Sequence, residues 1–415
     1  MAQAWSPPTE STDDPRTIPT LNGIITSPIT TQSWSSGSQD FVVHNVHIQT
    51  HDPNLPPIEC AMLLDSRMIK HLPKNLVQQL QPAQPCFEIK DAGDKGAGMF
   101  ATRDIPAGAL ILVENPVIIT PASILLPEKS GAYQTLFNNL PLTAREELLT
   151  MTNCRSREEC NTDEEGIART NGTGIDLAFP LGMEKDPTAK EYGAVFLKIN
   201  RSNHSCGPNA AHKWDLASFS SSLYALRPIS VGEEITMIYT DVTASREVRR
   251  AKLKRLYGFD CGCTYCDLPD EESIVSSDAA RAQLRDWGHT HPGYLKWSTD
   301  LCRADDVVIK SHQNALRLIE REGMQGLQCL YMEEIVLSYA ILGEESEFRA
   351  WGERLLKLCT IQDRQLAEDL QKWLANPKSM KKWAWRKKQR MQTSGSRRRC
   401  VVPPSPDMLY LPLLF

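Results

Sequence analysis

Three cysteines within six residues, Cys261, Cys263 and Cys266 in CGCTYC, constrain this chain more than any other feature. A tight turn brings all three sulfurs to one side, where they can wrap a single tetrahedral zinc ion. Such a site needs a fourth ligand from elsewhere. Cys302 lies too far into a helix-patterned region to be the obvious donor. Cys206 suits better. It ends the polar packet SNHSC (202–206), set between the mainly apolar run 194–199 and Gly207-Pro208-Asn209. The alternative, three unligated thiols in one turn, is an oxidation hazard in a reducing compartment. The sequence holds 12 cysteines, and its start, MAQAWSPPTESTDDPRT, has no basic stretch leading into an apolar one. Free thiols or metal ligands are therefore expected rather than a disulfide framework.

A length of 415 residues is enough for two or three domains. The net charge is −5, from 46 basic and 51 acidic residues, which gives the whole chain no nucleic-acid signature. No apolar run approaches membrane-spanning length, so no membrane contact is expected. Residues 1–85 read as a largely disordered N-terminal segment, rich in Pro, Ser and Thr up to about residue 40. Within it FVVHNVHIQTHD (41–52) reads as a short strand and 61–80 as a short helix. His44, His47 and His51 have no cysteine or carboxylate at a spacing that completes a metal site, and surface histidines are the plainer reading.

From Cys86 the texture is short strands punctuated by Gly and Pro, as far as about residue 120. Residues 121–165 read as a mainly helical insertion, with Thr143 and Glu146 as a capping box for one helix. Strand texture returns over 166–243, including GIARTNGTGIDLAFPLG, YGAVFLKIN, SSSLYALRPI and GEEITMIYT. Ser245 is placed to cap a helix running to Tyr257, with Gly258 at its C-terminal stop, so that 244–268 forms a unit with the cysteines. The stretch 269–376 carries apolar residues at helical spacing: Val308, Ala315, Leu316 and Ile319, then Met332, Ile335, Val336 and Tyr339, then Phe348, Trp351, Leu355 and Leu358. Helix packing explains these stripes. The remainder, 377–415, is a basic tail containing KKWAWRKKQR, read either as solvated or as a polyanion or nuclear-localisation contact.

Two further motifs are ambiguous alone. Lys95-Gly96-Ala97-Gly98-Met99-Phe100 lets backbone approach a ligand, but a hairpin turn explains it equally well. Tyr239, at the expected strand end of GEEITMIY, could project into a cleft, although a strand tyrosine is usually core.

In chain order these pieces read KGAGMFATRDIPAGALI, RTNG, NHSCGPNA, GEEITMIY, then YGFDCGC-x2-C. This order resembles the SET-domain protein-lysine methyltransferases, and most closely their SMYD-like branch, over about 86–268 and more loosely the helices to 376. That branch splits its SET domain with a long insertion and adds a helical region after the post-SET cysteines. Its insertion carries a MYND zinc finger, whereas 118–165 here offers only Cys154 and Cys160. A MYND finger and its partner binding are therefore not expected.

The resemblance implies an α+β fold: a SET-domain β-fold with a helical insertion and a post-SET zinc site, followed by an all-α C-terminal domain. It implies that the NHSC segment threads beneath another stretch of chain. Asn203 and His204 would bind S-adenosyl-L-methionine, with Asn171, Lys95, Gly96 and Ala97 also against the cofactor and Phe259 stacked on its adenine. Tyr239, at the methyl-transfer position, and Tyr257, lining the lysine channel, would be the catalytic pair. Cys206, Cys261, Cys263 and Cys266 would hold structural zinc. The implied activity is methylation of a protein substrate presenting a lysine, histone or non-histone, in nucleus, cytoplasm or both. The helical C-terminal domain could take a protein partner. Two other readings stay open: an inactive SET-fold scaffold acting through its helices, and a methyltransferase for a non-protein acceptor.

Overall fold

The computed structural model describes residues 20–25, 33–36, 39–48, 58–73, 75–77, 81–82, 84–122, 129–177 and 192–394. His51, most of the Pro- and Ser-rich start and the apolar end LYLPLLF lie outside them. In chain order the first strands are β1 (Thr20–Ile25), β2 (Ser33–Ser36), β3 (Gln39–Ile48), β4 (Ile58–Asp65) and β5 (Asn75–Val77). Next come β6 (Phe87–Asp91), β7 (Ala97–Ala101), β8 (Leu110–Glu114) and β9 (Ile118–Pro121). Helices α1 (Lys129–Asn138), α2 (Leu142–Leu149) and α3 (Asp163–Asn171) follow. Strands β10 (Thr173–Ile175), β11 (Tyr192–Val195), β12 (Ala210–Asp215), β13 (Ser220–Ala225) and β14 (Glu234–Ile235) complete the strand set. The chain then turns helical: α4 (Arg246–Tyr257), α5 (Glu271–Arg285), α6 (Trp287–Thr290), α7 (Tyr294–Thr299), α8 (Val307–Arg321), α9 (Gln328–Leu342), α10 (Glu345–Gln362), α11 (Arg364–Ala375) and α12 (Trp385–Ser394).

The chain divides into two compact units. The first holds residues to 81, 113–200 and 214–221. Its sheet has the order β10-β11-β9-β4-β3-β1-β5, with β2 also on β3. Helix α1 packs against β3, β4 and α3. The core gathers Phe41, Val43, Leu63, Ile118, Leu136, Phe137 and Ile167. Over 20–25, 33–36, 39–48, 58–65 and 75–77 the expected disorder gives way to strands. The expected helix over 61–80 gives way to the second half of β4, a 3-10 turn (Ser66–His71) and β5. The apolar run in IECAMLLD fits a buried helix or a buried strand equally well. It is a strand because β3 pairs antiparallel on one side and β9 parallel on the other, and burial of both faces removes the alternation that marks a strand.

The insertion is mainly helical as expected, but its caps differ. Pro141, not Thr143, precedes α2. The box sits on α3, where the Thr162 side chain accepts from the Glu165 N–H and Glu165 reaches back to the Asn161 N–H. That box carries α3 through GIARTN, a stretch expected to be extended.

The second unit holds 82–112, 201–213 and residues from 222 onward. Strands β6 and β7 form a hairpin around a 3-10 turn at Gly93–Lys95, and β14 adds to β7, giving the order β14-β7-β6. A further three-stranded sheet has the order β12-β13-β8. Helix α4 is capped by Ser245, whose side chain accepts from Val248 N–H, and closed by Gly258 in the left-handed conformation, as its sequence indicates. In the helical part α8 packs on α9, α9 on α10 and α10 on α11. The stripe residues Val308, Ala315, Met332, Val336, Phe348 and Leu355 are all buried.

The expected free basic tail is corrected over 377–394. Arg386 of α12 is fully buried, with Nε on Asp305 (2.7 Å) and its other nitrogens on the carbonyls of Trp297, Asp300 and Arg303. Arg390 pairs with the same Asp305 (3.2 Å). These two basic residues are committed to the fold and are not available to a polyanion. No helix among the described residues is long and apolar enough to cross a membrane.

Candidate functional site

The polar packet SNHSC lies buried in the second unit, and its backbone pairs with the segment that follows β14. Met237 N–H donates to the Asn203 carbonyl (2.9 Å), and Ser205 N–H donates to the Met237 carbonyl (3.0 Å). Strand β14 itself is only two residues long, so Tyr239 comes two residues after the bridge residue Met237 and not at the end of a strand. Pairing with residues 203–205 fixes where Tyr239 emerges.

Two side chains of the packet, and Tyr239 beside them, are then specified. Asn203 Nδ2 donates to the Ala97 carbonyl (3.2 Å) and to Glu234 Oε1 (2.9 Å). Both partners can only accept, so the amide orientation is forced and Oδ1 is the atom left to offer. Glu234 Oε2 also receives Lys95 Nζ at 2.6 Å. His204 Nδ1 accepts from Tyr239 N–H (3.0 Å), which places the ring proton on Nε2, 3.3 Å from Cys206 Sγ. Burial holds the His204 pKa down to about 4, so the ring is neutral near pH 7. Tyr239 donates its hydroxyl proton to the Ser202 carbonyl at 2.7 Å. Burial, reinforced by Tyr257 and Glu234, pushes its ionisation above the ordinary phenol range.

Helix α4 and the turn after it deliver two more aromatic rings. The Tyr257 ring lies 4.9 Å from Tyr239 and 6.4 Å from Phe259, while His204 lies 5.4 Å from Tyr239 and 6.1 Å from Phe259, centroid to centroid. The four rings form one half-buried cluster, whose faces favour a cation or a flat heterocycle.

Behind this cluster the sulfurs of Cys206, Cys261, Cys263 and Cys266 all lie within 4.8 Å of one another. The edge of a tetrahedral site with Zn–S bonds of about 2.3 Å is about 3.8 Å, and the Cys206–Cys266 sulfurs are 3.5 Å apart. Hydrogen bonds from Cys206, Cys261 and Cys266 hold Cys263 well below the ordinary thiol range. Fully buried Arg249 adds a cation, with Nη2 on the Tyr265 carbonyl (3.1 Å) and 3.9 Å from Cys266 Sγ. Four sulfurs and no competing hard ligand suit a soft tetrahedral ion, and the cluster is compatible with zinc.

The structure thus brings together in one unit Lys95, Gly96, Ala97, Asn203, His204, Tyr239, Tyr257, Phe259 and the four cysteines. Asn171 belongs to the other unit, at the end of α3, where its amide donates to the Thr152 and Ile167 carbonyls (both 2.8 Å). Cys154 Sγ lies 3.3 Å from Thr170 Oγ1, and Cys160 Sγ lies 3.4 Å from Arg169 Nη1. Glu234 and Arg249 are site residues that the sequence reading missed. Glu234 had a signal, since it stands in GEEITMIY. Arg249 had none, because an arginine in a charged helix reads as solvent-facing.

Comparison with known proteins agrees with this geometry. The SET domain family matches residues 96–240. Histone-lysine N-methyltransferase set5 of Schizosaccharomyces pombe is 28% identical over 204 residues, covering 49% of this chain and 57% of that protein. Histone-lysine N-methyltransferase SMYD3 of Homo sapiens is 35% identical over 79 residues, 19% of this chain and 18% of its own. Histone-lysine N-methyltransferase Smyd1 of Mus musculus is 36% identical over 126 residues, 27% and 24% of the two chains. The match with set5 therefore spans little more than half that relative's length, and those with SMYD3 and Smyd1 about a fifth to a quarter. Residues 96–240 are therefore a SET domain, homologous to the set5 and SMYD histone-lysine methyltransferases.

Proposed function

We propose that this protein is an S-adenosyl-L-methionine-dependent protein-lysine N-methyltransferase with a structural zinc held by Cys206, Cys261, Cys263 and Cys266. The observation that carries the reading is the parallel bridge between residues 203–205 and Met237. It sets Asn203 and His204 beside Tyr239, Tyr257 and Phe259. The names of the relatives, histone-lysine methyltransferases, point to the same substrate class.

S-adenosyl-L-methionine, when bound, supplies a methyl group on a positively charged sulfur. Methyl transfer is an in-line displacement, so the protein's contribution is positioning and electrostatics. Asn203 presents Oδ1 as an acceptor, which suits an ammonium group of the cofactor. Phe259 and His204 offer ring faces for the adenine. Lys95, Gly96 and Ala97 line the same corner through the β6–β7 hairpin. Asn171 is carried as a cofactor residue by the resemblance alone.

The attacking lysine must be neutral. In this reading Tyr239 and Tyr257, whose rings lie 4.9 Å apart, would wall an apolar approach that disfavours the ammonium by desolvation. Because Tyr239 already donates its proton to Ser202, its lone pairs face the reaction as acceptors, able to orient an amine N–H or a polarised methyl C–H. Zinc takes no part in this chemistry. It ties the NHSC segment to the turn that carries Tyr257 and Phe259. Nuclear or cytoplasmic residence, as for histone and non-histone targets, follows from this reading.

The test is direct. Purified protein is incubated with cofactor carrying a labelled methyl group and a cell extract, and the labelled species are identified. Label on protein lysine is expected. Label on a small molecule selects the non-protein acceptor, and no label with intact cofactor binding selects the inactive scaffold.

A further inference from the structure

Helix α5 buries an arginine where a leucine would pack. Arg281 is fully buried. Its Nη1 donates to the carbonyls of Cys206 (3.3 Å) and Val242 (2.6 Å), and its Nη2 to the carbonyl of Glu322 (2.9 Å). Nε lies 3.3 Å from Glu322 Oε2, the same oxygen that accepts the Ser277 hydroxyl. Replacing a buried ion pair by a well-packed apolar residue is commonly neutral or stabilising, so stability alone does not account for this one. What the guanidinium does is geometric. Its planar fork holds three carbonyls from three stretches: the NHSC segment, the chain just beyond Tyr239, and the turn that ends α8.

A second observation falls on the same spot. The ring of Tyr265, between the metal-ligating cysteines, fills the space that a side chain would need at two glycines. A Cβ at Gly207 would come within 2.0 Å of that ring, and one at Gly323 within 2.3 Å. Gly207 follows the NHSC segment. Gly323 follows Glu322 and has φ +66°, which disfavours a side chain on its own account. The carbonyl that Arg281 grips and the ring that the glycines admit both lie at Cys206.

We propose that Arg281 is a positioning residue for the segment 202–206, and that Glu322 and Tyr265 make α5 and the end of α8 part of the support of the cysteine cluster and cofactor pocket. The cofactor half rests on the proposed function; the cysteine half does not.

Arg281→Met and Arg281→Lys, with Glu322→Gln as a milder loosening, are compared with wild type in the full chain. Zinc retention is read by competition with a chromogenic chelator, and S-adenosylhomocysteine affinity by calorimetry. Arg281→Met is expected to weaken zinc retention about 10- to 100-fold, the usual effect of losing an outer-shell partner. S-adenosylhomocysteine affinity and cofactor KM should worsen about tenfold, with kcat at saturating cofactor changed less than about threefold. Arg281→Lys, which keeps the charge and one or two of the bonds, should fall between, and Glu322→Gln should shift the same way by less. A protein that is merely destabilised loses active concentration, so apparent kcat falls while KM and affinity of the folded fraction hold. That pattern, or wild-type zinc retention in Arg281→Met, overturns the proposal. If Arg281→Met does not fold, wild-type values in both Arg281→Lys and Glu322→Gln overturn it. A wild type that binds no S-adenosylhomocysteine while its zinc retention still depends on Arg281 removes the proposed function and leaves the cysteine half standing.

Discussion

Segment 202–206 and strand β4 are buried to a similar depth by opposite means. In β4, Ala61, Met62, Leu63 and Leu64 are 0% exposed, and Ala61 and Leu63 belong to an apolar core with Phe41, Val43 and Ile118. In the polar segment Ser202 and Cys206 are also 0% exposed and His204 7%. There the side chains of Asn203 and His204 have named polar partners, and the Ser202 and Asn203 carbonyls accept from Tyr239 and Met237. Apolar burial is set by volume and tolerates an exchange of similar size. Polar burial is set by atom identity and direction, and each lost partner leaves a group unsatisfied. The first kind of region supplies stability, the second places reactive atoms, and variants should separate the two.

The largest effect is expected where the polar region meets the metal. Apparent binding free energies of structural zinc sites run about 10 to 16 kcal/mol over four ligands, so one thiolate accounts for about 2.5 to 4 kcal/mol. Cys206→Ser should therefore lower zinc affinity by a few hundredfold and reduce S-adenosylhomocysteine binding and turnover with it. Metal analysis and calorimetry on the same preparation check this. One zinc retained at wild-type affinity in Cys206→Ser would assign the fourth ligand elsewhere.

On the apolar side, Leu63→Ala should cost about 3 kcal/mol, by lost transfer energy plus the cavity left in a close-packed sheet. Denaturant unfolding reads it. The comparison is sharpened if S-adenosylhomocysteine affinity of the folded fraction is unchanged. It is broken if that affinity drops as it does in Cys206→Ser.

Tyr239→Phe removes one oxygen and keeps the ring. The Ser202 carbonyl loses its donor, and the proposed methyl-transfer position loses an acceptor. Turnover should fall about a hundredfold, equivalent to about 2.7 kcal/mol of transition-state stabilisation. Cofactor affinity should shift little, unlike in Cys206→Ser, and stability should fall by only about 1 kcal/mol for the buried Ser202 carbonyl left without its donor, against about 3 kcal/mol in Leu63→Ala. Wild-type turnover would remove Tyr239 from the site.

The two regions were also unequally legible. The Cys261, Cys263 and Cys266 cluster and the α4 caps follow from short spacings, because a tetrahedral metal and a helix terminus each demand particular residue types at fixed offsets, whereas Asn203 and His204 are expected from the family resemblance alone. Among the N-terminal strands, β3 is legible in FVVHNVHIQTHD, whereas β4 is not, for the converse reason. Strand β4 is paired on both sides by chain distant in sequence, and nothing within IECAMLLD says so. Arg386 shows the same limit. In KKWAWRKKQR a solvated charge and one that stacks on Trp297 at 4.4 Å read alike. Glu234 and Arg249 were missed because a carboxylate or guanidinium gains its role from partners that only the fold supplies.

The smallest effect concerns Glu114, in the first unit, which carries features of both regions. Its two carboxylate oxygens accept the N–H groups of Lys198 (2.9 Å) and Ile199 (2.8 Å). Those bonds favour the anion, yet burial outweighs them and lifts the pKa to about 7. The folded state therefore holds a proton that the unfolded chain, near an ordinary glutamate value, has released. Stability from this group is fully present below about pH 4.5 and is lost as pH rises through about 7. With partial solvent screening, the wild type should be about 1 to 2 kcal/mol less stable at pH 8 than at pH 5 on account of this group. Glu114→Gln keeps one acceptor, loses the titration and should flatten that part of the profile. Denaturant midpoints at the two pH values, wild type against variant, measure the difference. Parallel profiles would mean that Glu114 is already ionised in the folded protein, held by its two N–H donors, and that this corner is organised by polar contacts as thoroughly as the segment 202–206.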